Sequence, residues 1–208
     1  MSQQGQVMKF GAVILQNLPE VSGEMMQYWI ENPLELQEFF VGLNKRPDSK
    51  LELWKTIKLG TGFKGADDFS KVLKDKEMKI GGWATNILGK PEFTVADEQS
   101  EVDLVKVAVA ELGFKNGAKT QQIYDRAKQL GLELCSSEVG PQLRLQYEDQ
   151  PNGERILIAM KPISGSDGYL SVFSVERYDS ELLLSVYYGF PDYFWPPGYQ
   201  WVFVCSRK

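Results

Sequence analysis

The chain has 208 residues, of which 43% are hydrophobic and 12% aromatic, and this composition supplies a sizeable core. A formal net charge of -5 disfavours nucleic acid as a partner, because like charges repel. The sequence has no histidine and two cysteines, which excludes histidine-based catalysis, the usual zinc sites and a multi-disulfide scaffold. We therefore predict no catalytic residue, no cofactor and no metal site.

The N-terminal part of the chain is predicted to be helical, with a polar linker after it. Residues 7–18 place apolar side chains at helical spacing, and Pro19 ends that helix. A second helix, capped by Ser22, precedes a third that begins at Asn32, and residues 44–50 form the linker. The apolar stretch near the N-terminus is too short to span a membrane, so we expect a cytoplasmic location and no membrane contact.

The middle of the chain mixes strand and helix patterns. Alternation predicts a strand over residues 51–59, closed by a glycine-rich turn at 60–62, and helical spacing returns over 67–78 and 83–88. Residues 101–112 fit either a buried helix or a strand, because their length favours helix and their valines favour strand. We predict a helix, since acidic residues precede this segment and a glycine follows it.

The remainder of the chain is predicted to start with two helices and to end in a sheet. Thr120 can cap the first helix, and Ser136 or Ser137 can cap the second, which runs to Tyr147. Beyond residue 151 the spacing becomes alternating, which predicts an antiparallel meander of four strands at residues 155–160, 170–177, 181–188 and 200–205.

These elements predict an α+β fold with a helical N-terminal part, a mixed middle and a C-terminal four-stranded antiparallel sheet with packed helices. The predicted organisation has three parts. They are a helical segment at residues 1–46, a small mixed segment at 47–98 and an α+β domain at 99–208.

Two local features support alternative functions. Cys135 precedes two residues that can cap a helix, and a helix N-terminus favours a thiolate, so an enzyme that uses Cys135 or carboxylates is one alternative. The helix pair over residues 120–147 suggests a nucleic-acid-associated protein, with Arg144 as its basic reader. A lone cysteine in apolar company is more often a buried small hydrophobe, and acidic residues surround Arg144.

The aromatic run at residues 187–203 is the candidate recognition surface. Strand alternation places Trp201 and Phe203 on one face, which we assign to the core. The Pro-rich loop before them leaves Tyr193, Trp195 and Tyr199 as candidate partner-binding residues, because large amphipathic rings are favoured at interfaces.

Several strings along the chain resemble a recurrent uncharacterised protein family of candidate-phylum bacteria. They are VSGEMMQYWIENP at residues 21–33, LWKTIKLGTG at 53–62, WATNILGKPEFT at 83–94, AELGF at 110–114, LGLELC at 130–135, EVGPQLRLQY at 138–147 and RILIAMKPISGSDG at 155–168. The resemblance covers most of the chain and implies no activity, cofactor or site residue.

The sequence therefore predicts a cytoplasmic, non-enzymatic binding or protein-interaction module. Its expected partner is another protein rather than nucleic acid or a membrane, and its oligomeric state is left open.

Overall fold

The computed structural model describes residues 23–33 and 51–205. The chain divides into two compact units, Met1–Asp48 and Ser49–Lys208. In the first unit, helix α1 spans Gly23–Glu31, where the sequence predicts the second N-terminal helix. The helix predicted over residues 7–18 and the linker at 44–50 lie outside the described residues.

The second unit is mostly sheet. Its strands are β1 Lys55–Leu59, β2 Lys79–Ile80, β3 Ser100–Ala108, β4 Ala118–Lys119, β5 Leu132–Glu133, β6 Arg155–Ile158, β7 Ile163–Ser164, β8 Leu170–Tyr178, β9 Glu181–Tyr188, β10 Phe194–Trp195 and β11 Gln200–Cys205. Nine of them form one mixed sheet shaped as a half-barrel, while β4 and β10 pair separately. The predicted fold class, with a helical N-terminus and a four-stranded antiparallel sheet, is wrong.

The main path of the nine-stranded sheet runs β1-β3-β11-β6-β8-β9-β2. All four predicted C-terminal strands form, but they do not make a meander. The last strand, β11, pairs in parallel with β6 and antiparallel with β3, instead of lying beside β9. Because β1 and β3 come from the middle of the chain, this strand order depends on contacts between distant segments that local spacing does not encode.

The segment predicted as a helix over residues 101–112 is also corrected. Its first part is β3, which pairs with β1 on one side and β11 on the other. A strand with partners on both edges and layers on both faces carries an almost continuous apolar run, here including Leu104, Val105 and Val107. The same run resembles a buried helix when only sequence is visible.

Four short helices within residues 51–205 accompany this sheet: α2 Ala66–Asp75, α3 Gly82–Leu88, α4 Thr120–Gln129 and α5 Val139–Gln146. Helix α5 is almost entirely buried, and a Cβ added at Gly140 would lie 2.7 Å from Phe173 of β8. The ring of Tyr124 in α4 meets Trp201 of β11 edge-on, with centroids 5.6 Å apart.

Helices α4 and α5 lie on opposite faces of the sheet. Trp201 pairs with Leu157 of β6, which pairs with Ser174 of β8, so these three side chains share one face of the sheet. Phe173 precedes Ser174 and therefore lies on the opposite face. Trp201 and Phe203 are both fully buried, which confirms their assignment to the core.

Candidate functional site

Strand β2 covers only part of the outer edge of β9. The two strands pair in parallel at Leu183 and Leu184, and the Gly81 N–H donates to the Leu184 carbonyl at 2.9 Å. The chain then enters α3 at Gly82, and this helix packs against β9 without adding a strand to its edge. Within residues 51–205, no strand pairs with this edge of β9 beyond Leu184.

Alternate residues of β9 direct their backbone N–H and C=O groups outward, away from β8. The Leu184 carbonyl points outward, since it accepts the hydrogen bond from Gly81. The Gly189 N–H points inward, toward β8, and donates to the Leu170 carbonyl at 2.8 Å. By strand alternation, the N–H and C=O groups of Val186 and Tyr188 also face outward. Across the described part of the chain, no hydrogen bond engages these groups. The C-terminal end of β9 is therefore an open sheet edge.

A pocket of about 390 Å³ lies beside this edge. We call it the aromatic pocket, and its walls are Trp83, Asp167, Tyr169, Ser171, Val186, Tyr187 and Tyr188. Three of its rings are prominent at the surface, since Trp83 and Tyr169 are each 52% exposed and Tyr188 is 45% exposed.

Hydrogen bonds fix the two walls of the aromatic pocket relative to each other. Asn86 of α3 donates to the Ser166 hydroxyl at 3.0 Å and accepts the Ser166 N–H at 2.9 Å. In the same turn, Asp167 accepts the Tyr169 N–H at 3.0 Å, a bond that short carboxylates often make in turns. Trp83 and the turn that presents Asp167 and Tyr169 are therefore tied together before any ligand binds.

The predicted partner-binding residues lie behind the open edge. Trp195 is buried, and its indole N–H donates to the Thr120 hydroxyl at 2.8 Å. Tyr193 is half-buried, with its ring centroid 5.1 Å from that of Tyr188 and 4.9 Å from that of Trp195. These rings support the tyrosines of β9. A direct contact between this loop and a partner stays a prediction.

Tyr199, also half-buried, packs against Tyr187 of β9, with ring centroids 6.2 Å apart. A hydrogen bond with Tyr199, reinforced by burial, raises the pKa of Tyr187 to about 12. On another side of the ring, the Arg155 guanidinium lies 5.3 Å from the Tyr187 centroid and pairs with Glu176 at 3.1 Å. The base of the open edge is consequently a connected polar and aromatic network.

The residues behind the alternative functions are inside the molecule. Cys135 is 5% exposed with its Sγ 3.4 Å from the Val202 carbonyl, and burial raises the pKa of its thiol. Arg144 is fully buried and donates to the carbonyls of Glu176 and Tyr147. Arg144 is therefore not placed to meet a nucleic-acid backbone, whereas Cys135 borders a pocket of about 200 Å³ but is held by burial in its thiol form.

A second pocket, of about 530 Å³, lies between α4 and the segment 132–134. Charges of both signs border it, including Asp125 and Lys128, and its Tyr124 hydroxyl already donates to the Met160 carbonyl at 3.1 Å. It does not select one ligand charge. The open edge of β9 is therefore the better-defined candidate site.

The candidate partner-binding residues predicted from sequence, Tyr193, Trp195 and Tyr199, do not line the aromatic pocket. The aromatic run already contained Tyr187 and Tyr188, but Trp83 and Tyr169 come from distant segments. The two-residue strand β2, which defines where the edge opens, has no sequence signal of its own.

Comparisons with models of protein families, with curated proteins and with solved structures find no match to this chain. No helix among the described residues is long and apolar enough to cross a membrane. The interpretation of the open edge therefore rests on its geometry.

Proposed function

We propose that this protein is a non-enzymatic interaction module that binds an extended segment of another protein along the open edge of β9. The supporting observation is the set of unpaired, outward N–H and C=O groups of Val186 and Tyr188 beside an aromatic pocket. An added strand satisfies such groups because its own donors and acceptors alternate at the same spacing.

Backbone hydrogen bonds at the open edge are too weak for micromolar binding by themselves, so the proposed site needs the aromatic pocket as well. Two N–H and two C=O groups, at a net value of about 0.5–1.5 kcal/mol per hydrogen bond, supply about 2–6 kcal/mol. Micromolar binding needs about 8 kcal/mol, so ring contacts in the aromatic pocket must supply the difference and also offset the entropic cost of association. Exposed edges are also natural templates for unwanted pairing, and the short length of this edge limits that risk.

The proposal retains the cytoplasmic location and the protein partner predicted from the sequence. Membership of the bacterial family that the sequence resembles stays a prediction. No observation at Cys135 or at the 120–147 helix pair favours the enzymatic or nucleic-acid alternatives.

A proline substitution tests the edge. Val186→Pro removes one outward N–H while leaving the inward ladder to β8 intact, and edge strands accept proline in this orientation. Val186→Ala is the matched control, because it loses similar side-chain packing and keeps the N–H. A phage-displayed pool of random decapeptides is selected on the full chain, and enriched peptides are titrated against each variant.

We expect enriched peptides to lose at least about tenfold in affinity with Val186→Pro and less than about threefold with Val186→Ala, provided both variants keep the wild-type circular dichroism. Enrichment of no peptide, or equal binding by both variants, would show that β9 is not the binding edge.

A further inference from the structure

We propose that the aromatic pocket recognises a positively charged side chain, lysine or arginine, on the extended segment that pairs with β9. This inference rests on the proposed function, because it names the chemistry of the bound partner. Its basis is a pocket wall that combines exposed aromatic rings with a carboxylate.

The rings of the aromatic pocket are available to a cation. Tyr169 and Tyr188 have centroids 6.2 Å apart and planes inclined by 48°, so neither ring fully covers the face of the other. Phe190 holds Tyr169 edge-on at 5.7 Å, and Tyr193 holds Tyr188 at 5.1 Å. Faces of Trp and Tyr attract ammonium and guanidinium groups through the negative potential above the ring.

Asp167 supplies the charge of the pocket. It is exposed, and one of its oxygens accepts the Tyr169 N–H. The ion pairs formed within residues 51–205 do not include Asp167, so a bound cation would meet a carboxylate that has no resident counter-charge. A carboxylate beside aromatic faces favours a cation and repels an acidic side chain.

The position of the pocket makes it suited to a side chain of a paired strand. Val186 and Tyr188 provide the open backbone groups and also line the aromatic pocket. A strand paired there would project alternate side chains to each face of the sheet, and one of those sets passes the aromatic pocket.

Matched peptides test the charge preference. Capped seven-residue peptides of alternating threonine and valine carry one guest residue, either arginine, lysine or the uncharged norleucine, at the central or the next position. They are titrated against the full chain and against Asp167→Asn, which keeps an oxygen for the Tyr169 N–H but removes the charge. Asp149→Asn is the control for net charge, since the side chain of Asp149 is 82% exposed and pairs with Lys55.

We expect the cationic peptides to bind about 5- to 30-fold more tightly than the norleucine peptide. Asp167→Asn should remove most of this preference, and Asp149→Asn should leave it unchanged. Equal binding of all three peptides, with binding abolished by Val186→Pro, would overturn the cation inference while leaving the edge proposal intact.

A second experiment tests cation binding in the aromatic pocket independently of strand pairing at the open edge. N-acetylarginine amide carries the cation without a strand-length backbone, and its titration is followed at the Trp83 indole N–H by NMR. A saturable shift that disappears in Asp167→Asn supports the cation pocket even where no peptide binds. Where no peptide binds, the absence of a shift in the wild-type protein overturns the inference.

Discussion

The hydrogen bond between Trp195 and Thr120, which holds the loop behind the open edge, should make a measurable contribution to the free energy of unfolding. Both residues are buried, at 1% and 2% exposure, and the indole N–H donates to the Thr120 hydroxyl at 2.8 Å. Thr120→Val keeps the side-chain shape and removes the hydroxyl, which accepts the Trp195 N–H and donates to the Tyr193 carbonyl at 3.3 Å, so the buried indole N–H is left without a partner. Such a group costs about 1–3 kcal/mol of unfolding free energy.

A loss of this size should lower the melting temperature by about 2–12 °C, because about 2–4 °C corresponds to 1 kcal/mol in a chain of this length. Urea unfolding followed by tryptophan fluorescence measures the change. Thr120→Ser is the control, since it keeps the hydroxyl, removes one methyl group and should cost about 1 kcal/mol or less.

A double-mutant cycle with Trp195→Phe isolates the pairwise contribution, which should be about 0.5–3 kcal/mol. Wild-type stability in Thr120→Val, or a coupling energy of zero, would show that this hydrogen bond does not hold the Trp195 loop in place.

Two further predictions concern β9 itself. In the free protein, the amides of Val186 and Tyr188 should exchange with deuterium much faster than that of Tyr187, which faces Val172 of β8, and NMR exchange rates measure the difference. Equal protection along the strand would contradict an open edge. Because the pKa of Tyr187 is raised to about 12, its contribution to stability is complete below about pH 10 and is lost as the pH rises toward 12. Tyr199→Phe should move this titration toward pH 10, as followed by phenolate absorbance with Tyr187→Phe as the assignment control; an unchanged titration would refute the assigned hydrogen bond.

Local spacing predicted individual elements well. The strands at β6, β8, β9 and β11 and the helices α2 to α5 fall where periodicity places them, although Lys119 and Glu138 occupy the N-cap positions predicted for Thr120 and for Ser136 or Ser137. The segment of β3 was predicted as a helix, because pairing on both edges produces a continuous apolar run that resembles one. The two-residue strands β2, β4, β5, β7 and β10 were not predicted. The candidate residues predicted from sequence, Tyr193, Trp195 and Tyr199, all lie in the aromatic run at residues 187–203, because a local pattern groups only residues that are close in sequence.

The sequence by itself determined the positions of most elements, the burial of Trp201 and Phe203 and the lack of histidine chemistry, because these depend on composition and short-range periodicity. Only the tertiary structure decided that β11 lies between β3 and β6, and that β2 stops at Leu184 and leaves Val186 and Tyr188 open. Strand order and edge coverage depend on which distant segments pair, and the free energy of those pairings comes from contacts that no local pattern contains.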